Sequence, residues 1–227
     1  MKGYFTKFEI TLWSTSSGLI LAAFLLFDKT NYLTLIASLI GVTSLIFNAK
    51  GNPLGQLLMV LFSLLYGVIS YSFRYYGEMI TYLGMTAPMA LLALIAWLRH
   101  PFKGNRSQVE VNRIGQREVL LMLALTAAVT VVFYFILKAF HTANLIASTL
   151  SVTTSFIAVY LTFRRSPWFA LAYAANDVVL ILLWSLASLH NSSYASVVIC
   201  FVVFLVSDLY GFISWRKMEK RQAGITV

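Results

Sequence analysis

Charge is scarce in this chain. Acidic and basic residues together make up 11% of its 227 residues and apolar residues 59%, against about 25% charged in an average soluble domain. A soluble domain of this size would lack the polar surface to face water. Cysteine is scarcer still. Cys200 is single and lies inside an apolar run, so disulfide, iron–sulfur and zinc–thiolate sites have no ligand set. His100, His141 and His190 stand at segment edges, with no pair at metal-ligand spacing, and no metal or other cofactor is expected. The chain carries no Walker-type loop (Gly, four residues, then Gly-Lys-Ser/Thr), and so no element to cradle the phosphates of a hydrolysed nucleotide. No small-residue cleavage site follows a hydrophobic segment, so a removable signal peptide is not expected.

What the chain has instead is long apolar runs. Eight helices are predicted, at about 10–27, 31–47, 54–73, 79–98, 119–137, 143–163, 168–189 and 193–215, several of them near the ~20 residues that a helix needs to cross a bilayer. The lipid bilayer is therefore the first expected partner. Pro53 and Pro167 precede the third and seventh helices, where a missing N–H costs little. Pro88 falls inside the fourth, which it should kink or open into a pocket. The first helix, interrupted by Trp13 and the polar run Ser14 to Ser17, is the least certain span and could lie partly in the interface.

The net charge of +9 points to orientation more than to nucleic acid. With the N-terminus inside, the cytosolic segments carry 14 of the 17 basic residues and the outer segments only Lys29, Arg74 and Lys138, as the positive-inside rule requires. No nucleic-acid partner is expected, because a basic patch alone carries little information.

The chain also repeats itself. Leu35-Ile36-Ala37-Ser38 recurs as Leu145-Ile146-Ala147-Ser148, and Val42-Thr43-Ser44 as Val152-Thr153-Thr154, at an offset of 110 residues. Lys50-Gly51-Asn52-Pro53 parallels Arg164-Arg165-Ser166-Pro167 at an offset of 114, and Trp97-Leu98-Arg99 parallels Trp215-Arg216 at 118. Offsets that grow in loop-sized steps fit duplication followed by loop drift. Equivalent helices are separated by four spans, so the halves run parallel, a design that recurs in transporters with substrate held near the midplane.

An acid inside a spanning helix is costly and faces a cavity or a partner. Asp177 should lie roughly 14 Å and Asp208 roughly 10 Å from the cytosolic ends of their helices at 1.5 Å per residue, at similar depth. Tyr173, Asn176, Asp177, Leu180 and Trp184 recur at helical spacing on one face. Such a face suits a planar heterocycle bearing a sugar, and a cationic ring would gain from stacking. The competing reading is that Tyr and Trp pack between helices and Asn176 bonds a neighbouring helix. Asp208 has a similar alternative, as partner to an Asn or Tyr. In the first half Gln56, Ser63 and Tyr66 on the third helix, and Tyr82 and Thr86 on the fourth, are the counterparts, though single hydroxyls are often helix–helix glue. Glu78, at the outer mouth of the fourth helix, is expected in solvent, with a gate as its alternative role.

The stretches NYLTLIASLIGV (31–42), AKGNPLGQ (49–56), SYSFRYYGEMITYLGMTAP (70–88), YAANDVVLILLW (173–184) and SDLYGFISWRKMEKRQ (207–222) resemble the PnuC family of vitamin-precursor transporters, especially its Gram-positive branch. The resemblance runs over nearly the whole chain. It implies an all-α polytopic membrane protein in which two parallel three-helix bundles (31–98 and 143–215) are joined by a linker transmembrane helix (119–142). A helix over 1–30 precedes them, a basic cytosolic loop fills 99–118, and 216–227 is a cytosolic tail. It further implies facilitated uptake of nicotinamide riboside across the cytoplasmic membrane, with phosphorylation in the cytosol trapping the small-molecule substrate, and it suggests a homotrimer. Relatives are associated with thiamine, riboflavin or deoxyribonucleosides. Carried residue by residue, the family's helix-seven asparagine and tryptophan fall on Asn176 and Trp184, and the aromatic before the terminal glycine of the last helix on Tyr210. Where better-known Gram-negative members place Gln and Asn on the fourth helix, this chain has Tyr82, Thr86 and Pro88, a departure that Asp177 and Asp208 could compensate.

Two other classes compete. An intramembrane aspartyl enzyme could use two carboxylates sharing a proton, but no Gly-x-Gly-Asp element precedes either acid. A small-molecule sensor would need a signalling element, and about a dozen residues follow Trp215. No catalytic residue is therefore expected.

Overall fold

The computed structural model of the chain describes residues 3–72, 75–142 and 144–224. Lys2 and Arg74 of the orientation count, Phe73 within the third quoted stretch, and Ala143 at the expected start of the sixth helix lie outside them, as do residues 225–227. Among the described residues, eight helices are long and apolar enough to cross a bilayer. The chain is a multi-pass membrane protein. In order they are α1 (Lys7–Phe27), α2 (Tyr32–Ala49), α3 (Pro53–Ser72), α4 (Tyr76–Arg99), α5 (Gln116–Ala139), α6 (Leu145–Phe163), α7 (Phe169–Ser188) and α8 (Ala195–Gln222).

The first three helices begin where the sequence can satisfy or spare free backbone N–H groups. Thr6 and Glu9 form a reciprocal capping box at the start of α1, which continues unbroken through the serine run. Asn31 caps α2 by accepting from the Thr34 N–H at 3.2 Å, and Pro53 opens α3. Pro88 has the expected effect on α4 in an unexpected form. The segment Tyr82–Thr86 just before it is π-helical, and the Ala87 N–H reaches back five residues to the Tyr82 carbonyl. Widening the turn absorbs the N–H that Pro88 cannot supply.

Helices α2, α3 and α4 pack in sequence, as do α6, α7 and α8, while α5 packs chiefly on α6. This fits two three-helix bundles with a linker. Most of α5 faces outward, with only Met122, Thr126 and Leu137 buried, and α1 lies on α2 and α8. Exposed side chains such as Leu26, Ile146 and Leu189 form the lipid-facing belt.

The repeat recurs in the geometry. At the α2–α3 turn Gly51 has φ +68°, and at the α6–α7 turn Arg165 has φ +57°. The Asn52 N–H donates to the Phe47 carbonyl, and the Ser166 N–H to that of Leu161, each at 3.0 Å. The bundles also clasp each other reciprocally. Trp97 Nε1 on α4 donates to the Thr162 carbonyl of α6 at 3.0 Å, and Trp215 Nε1 on α8 to the Asn48 carbonyl of α2 at 2.7 Å.

The loop expected over 99–118 is ordered. It holds a small antiparallel hairpin, β1 (Pro101–Phe102) with β2 (Asn105–Val109). Its outgoing strand ties the two equivalent turns together, since the Val109 N–H donates to Gly51 O at 2.9 Å and the Asn112 N–H to Arg165 O at 3.0 Å. The segment expected as a cytosolic tail is helical as far as Gln222, whose side chain bonds both the Val111 N–H and the Val109 carbonyl. Hydrophobicity marks where chain enters lipid, and says nothing of polar segments that fold against helix ends.

Candidate functional site

One small cavity receives residues from all six bundle helices: Leu45 of α2, Met59 and Phe62 of α3, Tyr82 and Thr86 of α4, Ser155 of α6, Tyr173, Asn176 and Asp177 of α7, and Phe201, Phe204 and Asp208 of α8. It lies between the bundles, where a transporter of parallel repeats holds its substrate. Its volume is about 20 Å³, room for about one water. A nucleoside-sized guest requires the bundles to part.

Asp177 and Asp208 are both buried, and their side chains lie within hydrogen-bonding reach of each other. Asp177 Oδ2 has no hydrogen-bond partner among the described residues. Tyr173 lies close enough to Asp208 and Asp177 to feel their charge. Asn176 serves partly as glue between helices, as the competing reading holds. Its Oδ1 accepts from Thr154 Oγ1 at 2.8 Å and Ser155 Oγ at 3.0 Å. Its NH₂ makes no hydrogen bond among the described residues. The lining contains no Lys, Arg or His, so the cavity offers carboxylates, a phenol pair and aromatic faces, and no counter-charge for an anion.

Of the candidates read from sequence, Tyr82, Thr86, Tyr173, Asn176, Asp177 and Asp208 meet at this cavity. Trp184 stands in an adjoining layer, away from the wall. It is fully buried, its Nε1 donates to Tyr66 Oη at 2.6 Å, and its ring packs against Tyr75 (centroids 4.8 Å apart) and Tyr194 (5.5 Å). Tyr66 connects that layer to the cavity through Tyr82, 4.3 Å away. A second aromatic layer of Trp97, Phe169 and Trp215, with centroids 4.8–6.2 Å apart, packs at the other ends of the helices. The cavity is thus bracketed by an aromatic plug on each side.

The remaining candidates lie elsewhere. Gln56 Nε2 donates to Asn48 Oδ1 at 2.8 Å inside the first bundle. Ser63 is buried with no hydrogen-bond partner among the described residues and does not line the cavity. Tyr210 points to α1, where its hydroxyl donates to Glu9 Oε1 at 2.8 Å. Glu78 is not in solvent. Only 1% of it is exposed, and it faces Ser151 of α6 within electrostatic range of Tyr66 and Tyr82. The first turn of α4 packs on α6, with Gly77 close to Leu137 at the end of α5 and to Thr142 just beyond it, so the acid is drawn inward. Phe201 and Phe204 were missed, although they stand seven and four residues before Asp208 on the same face of α8, a signal that helical spacing carries.

The comparisons with known proteins agree with this architecture. The chain is 27% identical over 227 residues to a protein of Neisseria mucosa named nicotinamide riboside transporter PnuC, an alignment covering 98% of this chain and 86% of that one. It superimposes with a TM-score of 0.84 on the crystal structure of the vitamin B3 transporter PnuC, at 24% identity, covering 97% of this chain and 95% of the other, which shows the fold. Residues 31–217, from the start of α2 into the last turns of α8, match the family described as nicotinamide mononucleotide transporter. The chain belongs to that family of membrane transporters.

Proposed function

We propose that the chain carries nicotinamide riboside into the cell by alternating access. The single observation behind this reading is the acid pair in a cavity without a basic residue. Nicotinamide riboside is a pyridinium cation and its mononucleotide bears a phosphate dianion. Asp177 and Asp208 attract the first and repel the second. A phosphate buried without Arg, Lys or a helix N-terminus would be an unpaired charge. The description of the family names the mononucleotide and the Neisseria relative is named for the riboside. The chemistry of the cavity favours the riboside.

In this reading the carboxylates face the ring nitrogen's charge, while Asn176 and Tyr173 bond the ribose. Tyr82, Phe62 and Phe201 supply aromatic faces. Trp184 and Tyr66 close over the guest from the outer side. The chain performs no chemistry on its cargo. Uptake is driven down the gradient and made irreversible by phosphorylation in the cytosol. The 14-to-3 distribution of basic residues supports both termini lying in the cytosol, in the cytoplasmic membrane, and the family resemblance supports a homotrimer. Thiamine, also a cation, is the one alternative cargo that the same acids would accept. Neutral riboflavin and deoxyribonucleosides would leave them unpaired.

Calorimetric titration of the purified protein tests this. Nicotinamide riboside should bind at least tenfold more tightly than its mononucleotide, thiamine or a deoxyribonucleoside, and Asn176→Ala should weaken it severely in protein that still elutes as folded. Preference for the mononucleotide would overturn the reading.

A further inference from the structure

A second cavity is far larger than the central one. A cleft of about 880 Å³ opens where the N-terminal segment, the end of α2, the hairpin and the last turns of α8 converge. It shares no lining residue with the transport cavity, and its wall on α8 runs from Tyr210, which faces away from Asp208, to Arg221. Its size falls within the range of small-molecule sites, about 300–1,000 Å³.

The cleft gathers cations. Lys50, Lys217 and Arg221 line it, and its one acid is Glu9. Glu9 is already occupied, since Lys50 Nζ lies 3.2 Å from both its oxygens, Tyr210 Oη donates at 2.8 Å and the Thr6 N–H at 2.7 Å. Lys217 and Arg221, one turn apart on the same face of α8, form no ion pair among the described residues. The positive-inside rule explains why cytosolic segments are basic. It does not explain why Lys217 and Arg221 converge on a hollow whose one acid is already paired with Lys50. Ser107 on β2 adds a hydroxyl, and the Tyr4 ring, with Lys50 Nζ 5.2 Å above it, adds an aromatic face.

We propose that this cleft binds a phosphate ester presented from the cytosol, with Lys217 and Arg221 clamping the phosphate and Tyr4 covering the organic part. The chemistry is a doubly or singly charged phosphate oxygen set met by a guanidinium fork and ammonium groups. Two sources can present it: a soluble nucleoside monophosphate, favoured by the size of the cleft and its aromatic wall, or the headgroup of an anionic phospholipid. The cytosolic address rests on the proposed orientation. The mononucleotide of nicotinamide, the phosphorylated form of the proposed cargo, is of special interest, and AMP is a probe independent of that cargo.

The test uses the full chain in nanodiscs of phosphatidylcholine, titrated by calorimetry with nicotinamide mononucleotide, with AMP and with inorganic phosphate. It compares the wild type with the double variant Lys217→Ala/Arg221→Ala, whose side chains are exposed. At least one monoester should bind the wild type, weaken with added salt, and lose tenfold or more in affinity in the variant, while nicotinamide riboside binds both proteins alike. If no monoester binds, but phosphatidylglycerol nanodiscs raise the melting temperature of the wild type and not of the variant, the phosphate is a lipid's and the site stands. No monoester binding together with equal lipid response in both proteins overturns the site, as does equal monoester affinity in both. Riboside binding is read in the same samples, so failure of the cargo assignment and failure of this cleft give different results.

Discussion

Asp177 and Asp208 are the residues that separate this cavity from a generic aromatic slot. Replacing either by Asn keeps its volume and removes its charge, so the two variants ask whether charge or shape selects the guest. Each should weaken nicotinamide riboside by tenfold or more, about 1.4 kcal/mol, in line with a hydrogen bond to a charged group. The neutral dihydro form of the riboside, with the same sugar and ring size, should change less than threefold. Calorimetry with both ligands decides the matter, and equal losses would mean that the acids act on the fold and not on the pyridinium. The acids themselves were legible in the sequence, because a carboxylate in an apolar run stands out. Depth and rotation were less so. Trp184 shares a helical face with Asp177 but is seven residues on, roughly 10 Å at 1.5 Å per residue, which lifts it into the outer aromatic layer. Tyr210 follows Asp208 by two residues, about 200° around the helix, and so faces α1. Glu78 shows the converse. Its position near a helix end and two tyrosines suggested solvent, and only the packing of α4 on α6 reveals its burial.

The turns between the first two helices of each bundle put the duplication to a physical test. Gly51 and Arg165 occupy equivalent left-handed positions, a conformation that costs a residue with a Cβ roughly 1–2 kcal/mol. At Gly51 an added Cβ would also stand 3.0 Å from Met218 Cε and 3.3 Å from Val109 Cγ1. Gly51→Ala should therefore destabilise by about 1–2 kcal/mol. Arg165→Gly relieves the same strain in the second half, together with a guanidinium Nη1 that is buried without a hydrogen-bond partner among the described residues. It should hold or raise the melting temperature. Thermal unfolding in detergent should move in opposite directions for the two variants, and a matching loss in both would mean that Arg165 anchors its loop through its side chain. At this scale the spans, their order and these turns were readable from hydropathy, proline and glycine. The hairpin of 101–109, the helical extension to Gln222 and the π-helical stretch at 82–86 were not. They depend on hydrogen bonds to residues more than a hundred positions away or on how a helix accommodates Pro88.

Seen whole, the molecule closes its cavity twice, and the two closures are built differently. The one that the proposed orientation makes the inner one, Trp97, Phe169 and Trp215, is tied by indole N–H groups to carbonyls of the opposite bundle. The one on the other side, which the proposed orientation makes the outer one, is an aromatic stack in which Tyr75 and Tyr66 of the first bundle meet Trp184 and Tyr194 of the second, and Trp184 Nε1 donates to Tyr66 Oη across it. A cavity of about 20 Å³ cannot admit a nucleoside unless one of these layers separates, and rocking of one bundle on the other opens them in turn. Tyr75 and Tyr194, whose rings are 5.9 Å apart, bridge the outer seam and allow that motion to be arrested. In a background where the buried Cys200 is replaced by Ala, Tyr75→Cys with Tyr194→Cys, joined by a short bifunctional thiol reagent that reductant cleaves, should bring uptake of labelled riboside in proteoliposomes to background. Reduction should restore it, and each single cysteine variant treated alike should transport normally. Full transport with the bridge in place would mean that the outer layer never opens, and the path would then have to leave the seam between the bundles altogether.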